Sequence, residues 1–244
     1  MTRAFAAFGR NDFRSSRRDA LLIGMVFAPL VWIATVRFGT PPVTRMLAEN
    51  NQFDLTPYYP LILVGFLLLT SPIVVGGVTA LLVLDERDAG TLTAIRVAPV
   101  SMGDYIAYRS VTAVGITLVY VLGTVSASGI FSFSLLPTLI PIGVLTGLSA
   151  LVIALAILST ARNKVEGLAA MRALGIVVAG LPLLPPFLDS SWSILFGVVP
   201  TYWPAQAFLA AGDGASWWPY LAGGVLYHAV VLWPLYRRFT RTAW

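Results

Sequence analysis

Charged side chains able to do chemistry gather in one place in this 244-residue chain. Asp85, Glu86, Arg87, Asp88, Arg96, Asp104 and Arg109 all fall within residues 85–109, between two long apolar stretches. Carboxylates and guanidiniums interleaved in this way can form ion pairs and dock onto a partner. The island is too short to be a domain, and its mix of charges, Gly90, Pro99 and a few apolar residues suits a small docking helix better than a plain connector. Elsewhere the material for catalysis is thin. The sole histidine, His228, has no acidic residue or second histidine in its own apolar run, so it reads as a polar group satisfied by a neighbouring helix before it reads as a proton or ligand site. Cysteine is absent, which removes disulfides, thiolate metal sites and cysteine nucleophiles. No GxxxxGK[ST] phosphate loop occurs, nor any HExxH or GxSxG pattern. The apolar runs also lack the deep carboxylates on which proton- or sodium-driven carriers usually rely. An energy source outside this chain is therefore favoured.

The elements that position these residues must lie in a membrane. The chain is 57% hydrophobic and 11% charged with a mean hydropathy of +0.81, whereas a soluble domain is about a quarter charged. Apolar runs at 20–36, 60–84, 110–131, 137–161, 168–188 and 218–236 each approach the roughly 20 residues that cross a bilayer as a helix. The expected fold is all-α and integral to the membrane: one transmembrane domain over residues 1–244, with six spans and little left for a soluble catalytic domain. A charge at depth costs roughly 2.5 to 3.5 kcal/mol, so the island must lie outside the bilayer. Net charge is +5, but the positive residues sit in short segments between spans, which points to the lipid bilayer and away from nucleic acid. Arg3, Arg10, Arg14, Arg17, Arg18, then Arg87, Arg96, Arg109, then Arg162, Lys164, Arg172, then Arg237, Arg238 and Arg241 fall on one side, and only Arg37 and Arg45 on the other. Under the positive-inside rule both termini and the island are cytoplasmic in a multi-pass protein of the cell membrane.

Ahead of the first run, Phe5, Phe8 and, less well aligned, Phe13 oppose Arg3, Arg10, Arg14 and Arg17 on a helical wheel. Residues 1–19 are therefore expected to form an amphipathic interfacial helix, with an unstructured basic flank as the competing reading because Asp12 falls among the aromatics. No small-residue cleavage site is evident after it, as for an uncleaved anchor. Within the island, Glu86 to Ile95 could form a short helix with Leu92 and Ile95 on one face, interrupted by Gly90 at a cost of about 1 kcal/mol. Pro99 ends that element, and Ser101 followed by Asp104 opens the next helix. Residues 189–217 hold apolar pieces too short to cross, broken by Pro200 and Pro204, and read as an outer re-entrant segment. Trp192, Tyr202, Trp203, Trp217 and Trp218 there suit an outer aromatic belt. Gly143 and Gly147 form a GxxxG, read as internal packing ahead of dimerisation.

The run Glu86-Arg87-Asp88-Ala89-Gly90-Thr91-Leu92, then Ile95, Pro99-Val100-Ser101 and Tyr105, resembles the segment after the second span of ABC-2 type permeases, the membrane subunits of ABC exporters. Their usual pattern runs Glu-Arg-Glu-x-Gly-Thr-Leu-Glu-x-Leu and later Thr-Pro-[Val/Leu]-Ser. Asp88, Thr93, Ile95 and Ala98 depart from it, and Thr93 stands where an acidic residue is common. The layout of amphipathic start, spans and broken outer segment resembles the same family. The Pro200-Thr201-Tyr202-Trp203-Pro204 run adds a likeness to small drug-export permeases linked to fluoroquinolone export. The resemblance implies that Glu86, Arg87, Asp88, Gly90, Thr91, Leu92, Ile95, Pro99 and Ser101 couple the chain to a separate ABC ATPase subunit, seated in a groove of that partner. ATP and Mg would be held by the ATPase, and this chain would be a transport subunit with no catalytic residue, metal or cofactor of its own. A second permease, identical or related, would complete the assembly. The resemblance further implies a substrate path between the second and fifth spans, where Leu67, Thr70, Ser71 and Val74 would face Leu174, Val177 and Val178. Apolar walls with scattered hydroxyls fit a hydrophobic or amphipathic small molecule. A lipid or lipid-linked glycan is the alternative cargo, and an intramembrane enzyme the alternative class.

Overall fold

The computed structural model describes residues 9, 20–91, 102–188 and 191–242. Gly9 apart, the expected interfacial helix over 1–19 lies outside the described residues, as do Leu92, Ile95, Pro99 and Ser101 of the island. All regular structure among the described residues is helical. Helix α1 (Ala20–Ala34) runs through a π-turn at Thr35–Gly39 into α2 (Thr40–Asn51). The apolar run stops at residue 36 but the helix does not. Pro41 and Pro42 fall in the first turn of α2, where a missing N–H is tolerated, and the wide turn before them accommodates their rings. Next, α3 (Tyr59–Leu63) joins α4 (Thr70–Asp88) through a second π-turn at Val64–Leu68. The remaining helices are α5 (Met102–Ala127), α6 (Leu136–Thr160), α7 (Lys164–Gly180), α8 (Tyr202–Gly212) and α9 (Trp218–Thr242).

Among the described residues, five stretches are long and apolar enough to cross a membrane: Leu22–Asn51, Thr56–Asp88, Met102–Ala127, Phe133–Thr160 and Lys164–Phe187. Helix α9 has the length, 25 residues, but its Tyr, Trp and His residues and its terminal arginines dilute its apolar character. The crossings through α4 and α6 are the most buried, at 56% and 67% of their apolar windows, against 18%, 28% and 17% for the first, third and fifth. They form the centre of the bundle, with α5 and α9 against α6, and α7 against α4.

Small residues set these approaches. A Cβ on Gly76 of α4 would lie 2.6 Å from the Ala150 carbonyl oxygen, and one on Gly147 of α6 would lie 2.8 Å from the Val114 Cα. The GxxxG of α6 therefore packs onto α5 within one chain.

After α7, 3-10 turns at Leu181–Leu183 and Pro185–Phe187 lead towards a third at Ser191–Val198, a bend at Pro200 and then α8. Trp203 donates from its ring nitrogen to the Gly197 carbonyl, 3.0 Å, tying α8 to the preceding turn. The belt reading needs correction at two rings. Trp192 and Trp218 are exposed, but Tyr202 is buried and Trp203 packs into space left by Gly223 and Gly224 of α9.

Candidate functional site

The charged island begins inside α4. Residues 85–88 are the last turn of that helix, and Gly90, at φ +70°, turns the chain out of it in a left-handed conformation that Gly adopts without steric cost. The expected short helix from Glu86 across Gly90 is thus divided: its first turn belongs to the span, and Gly90 separates it from Thr91, which is again helical.

Three consecutive residues of that last turn each hold a different helix, because successive side chains point about 100° apart. Asp85 accepts from Lys164 Nζ of α7 at 2.7 Å, a partly exposed pair. Glu86 pairs with Arg109 of α5 at 2.7 Å, with side-chain exposures of only 12% and 10%. Tyr105, one turn before Arg109, donates its hydroxyl to the other Glu86 oxygen and accepts from Arg109 Nε at 3.2 Å. Arg87 donates to the Ala161 carbonyl at 2.8 Å, placing a cation on the orphan carbonyls at the end of α6. The following helix start is fixed by its own cap: Asn163 Oδ1 accepts from the Glu166 N–H, and Glu166 reaches back to the Arg162 N–H. Asp88, Ala89 and Gly90 are exposed beyond this clamp, and Thr91 is half-buried.

Beside the Glu86–Arg109 pair, a cavity of about 330 Å³ opens between α4, α5, α6 and α9, walled by Val83, Ile106, Leu155 and Trp233 among others. His228 of α9 is fully buried against α6. Its Nδ1 lies 2.7 Å from the Gly224 carbonyl and its Nε2 2.9 Å from Ser149 Oγ of α6, so both ring nitrogens have partners.

The residues expected along a path separate into two groups. Leu67 and Ser71 are fully buried, and Val178 is nearly so. Thr70 and Ser71 spend their hydroxyls on carbonyls of their own helix, Thr70 on Phe66 and Leu67 and Ser71 on Leu67. Thr70, Val74 and Leu174 are half-buried, and Val177 alone of the seven is exposed. Spacing along the chain missed a more unusual neighbour. Arg172, counted with the loop charges, lies inside α7 and is exposed. A guanidinium facing lipid at such a depth costs on the order of 2.5 to 3.5 kcal/mol on insertion scales. The signal was available: position 172 falls within the apolar run 168–188.

Comparisons with known proteins follow this architecture. The chain is 53% identical over 237 residues, 97% of its length and 94% of theirs, to the fluoroquinolones export permease proteins Rv2686c and MT2760 of Mycobacterium tuberculosis strains H37Rv and CDC 1551 / Oshkosh. No solved structure matches. Residues 12–236 match the family described as fluoroquinolones export permease protein Rv2686c-like. Helices long and apolar enough to cross a membrane and a family match over almost the whole chain agree, and this protein is a membrane permease belonging to the Rv2686c-like fluoroquinolones export permease family.

Proposed function

We propose that the chain is the membrane subunit of an ATP-driven ABC-2 type exporter in the cell membrane, moving hydrophobic or amphipathic small molecules outward. Fluoroquinolones are the class named for its relatives. The observation that carries this reading is the clamp at the end of α4: Asp85, Glu86 and Arg87 hold α7, α5 and α6, immediately before the exposed start of the segment that resembles a coupling element. A push on residues 88–101 is delivered through those contacts to three helices at once. ATP and Mg are held by separate ATPase subunits, and the driving ligand favours one packing of the spans because it binds the two states differently through that partner.

In this reading the single domain, 1–244, has six spans, α9 being the sixth, with both termini and the 85–109 coupling segment in the cytoplasm. Residues 1–19 lie as an amphipathic helix on the inner leaflet and residues 189–217 form an outer re-entrant segment. A second permease, identical or related, completes the path. The test is co-purification followed by reconstitution. The chain alone should hydrolyse no ATP and drive no proton-coupled uptake in liposomes, and adding the co-purified ATPase should give ATP-dependent export of a fluoroquinolone. Proton-coupled transport by the isolated chain would contradict the proposal.

A further inference from the structure

We propose that Arg172 is an anion-binding residue of the export path, pairing with the carboxylate of an amphipathic cargo molecule. The proposal rests on the exporter reading but stands on its own geometry. Helix α7 leaves one face exposed, on which Val165, Ala169, Arg172, Ala173, Ile176 and Val177 recur at helical spacing. Two contacts fix the depth of Arg172 along α7. Lys164 meets Asp85 at the charged end of the bundle, and farther along Met171 packs directly over Gly77 of α4. Arg172 follows Met171, eight residues beyond Lys164, or about 12 Å along the axis. Gly77 is likewise eight residues from Asp85 on the antiparallel α4, so both helices give the same depth.

The other charged residues of α7 are satisfied, Lys164 by Asp85 and Glu166 by the helix cap. Arg172 makes no hydrogen bond or ion pair with any described residue. A guanidinium stays charged under all conditions a protein meets. Acyl chains do not solvate it, so side chains of this kind face a bundle interior or a water-filled cavity and mark a pathway. The face bearing Arg172 is therefore the path face of α7. The exposed neighbours Ala169 and Ala173 carry only methyl side chains, and the planar fork of the guanidinium matches a carboxylate in a bidentate pair. Ile176 and Val177, one turn deeper, supply apolar surface for the body of the same molecule. Such a surface fits an amphipathic carboxylic acid, with the phosphate of a lipid headgroup as the competing anion.

The test uses the full-length permease in nanodiscs of zwitterionic lipid and two probes, a fluoroquinolone bearing its free carboxylate and the same compound decarboxylated. Equilibrium binding should favour the acid by about tenfold. Arg172→Gln should abolish that preference by weakening the acid alone, Arg172→Lys should retain part of it, and unchanged affinity for the decarboxylated probe reports an intact fold. Equal binding of both probes by the parental protein, or a preference that survives Arg172→Gln, as it would if the guanidinium only reached for lipid phosphate, overturns the proposal. Export of the same probes with the ATPase present separates the two claims: selective binding without ATP-dependent export supports the Arg172 site and contradicts the exporter reading.

Discussion

At the scale of single residues, the buried Glu86–Arg109 pair carries the sharpest energetic consequence. Desolvation of both groups is offset by their mutual attraction and by the Tyr105 hydroxyl, so removing one partner leaves the other charge buried without its counter-ion in this pair. Glu86→Leu or Arg109→Leu alone should each destabilise the protein by about 3 to 5 kcal/mol, seen as a lowered unfolding midpoint in detergent. The double replacement should recover much of that loss. If the two single effects simply add, the pair is not coupled as described. The motif resemblance places Glu86 in a segment that couples to a partner, and nothing in its local spacing points to an ion pair within the chain. The Arg109 it pairs with lies 23 residues away, beyond the reach of local spacing. His228 was legible for the opposite reason: a lone imidazole in an apolar run has to be satisfied by a neighbouring helix, and Ser149 and the Gly224 carbonyl satisfy it.

At the scale of elements, Gly90 decides where α4 stops and the rest of the proposed coupling segment begins. A Cβ there would meet nothing within 4 Å, so the requirement is conformational and not one of space. Gly90→Ala should cost about 1 to 2 kcal/mol of local order, and Gly90→Asn less, measured as protease susceptibility of the island and as ATP consumed per molecule exported. Equal behaviour of the Ala and Asn variants would mean that the left-handed turn is unimportant. Crossing the α5–α6 contact with Gly147→Leu should cost more, at least about 1 to 3 kcal/mol from overpacking, because the Val114 backbone itself blocks the new side chain. Five of the six apolar runs coincide with stretches long and apolar enough to cross a membrane, since hydropathy is a property of consecutive residues. The runs ended the first helix too early, at residue 36, whereas the helix continues through Pro41 and Pro42, which sit in the first turn of α2 where proline is tolerated. They also credited Tyr202 and Trp203 to the headgroup belt, because ring composition does not reveal that Gly223 and Gly224 of a later helix make room for the indole.

At the scale of the whole molecule, the account depends on which side of the membrane the clamp occupies and on whether force enters there. The absence of native cysteine allows single substitutions at Thr93, Ser134, Lys164 and Asp213 to be probed with an impermeant thiol reagent in intact cells. Only Ser134 and Asp213 should react, and labelling at Thr93 would invert the topology. The most direct test of coupling lies four residues beyond the exposed carboxylate of Asp88, past Gly90, at Leu92→Asp. If Leu92 is buried in a groove of the ATPase, its burial contributes about 1.5 to 3 kcal/mol, roughly ten- to a hundredfold in affinity, and the substitution adds an unpaired charge to that loss. ATP-driven export by this variant, measured with ATPase binding, should fall to background although the protein inserts normally, with Thr93→Asp milder. Export at the parental rate with the ATPase still bound would show that the segment is a connector and contradict the coupling mechanism.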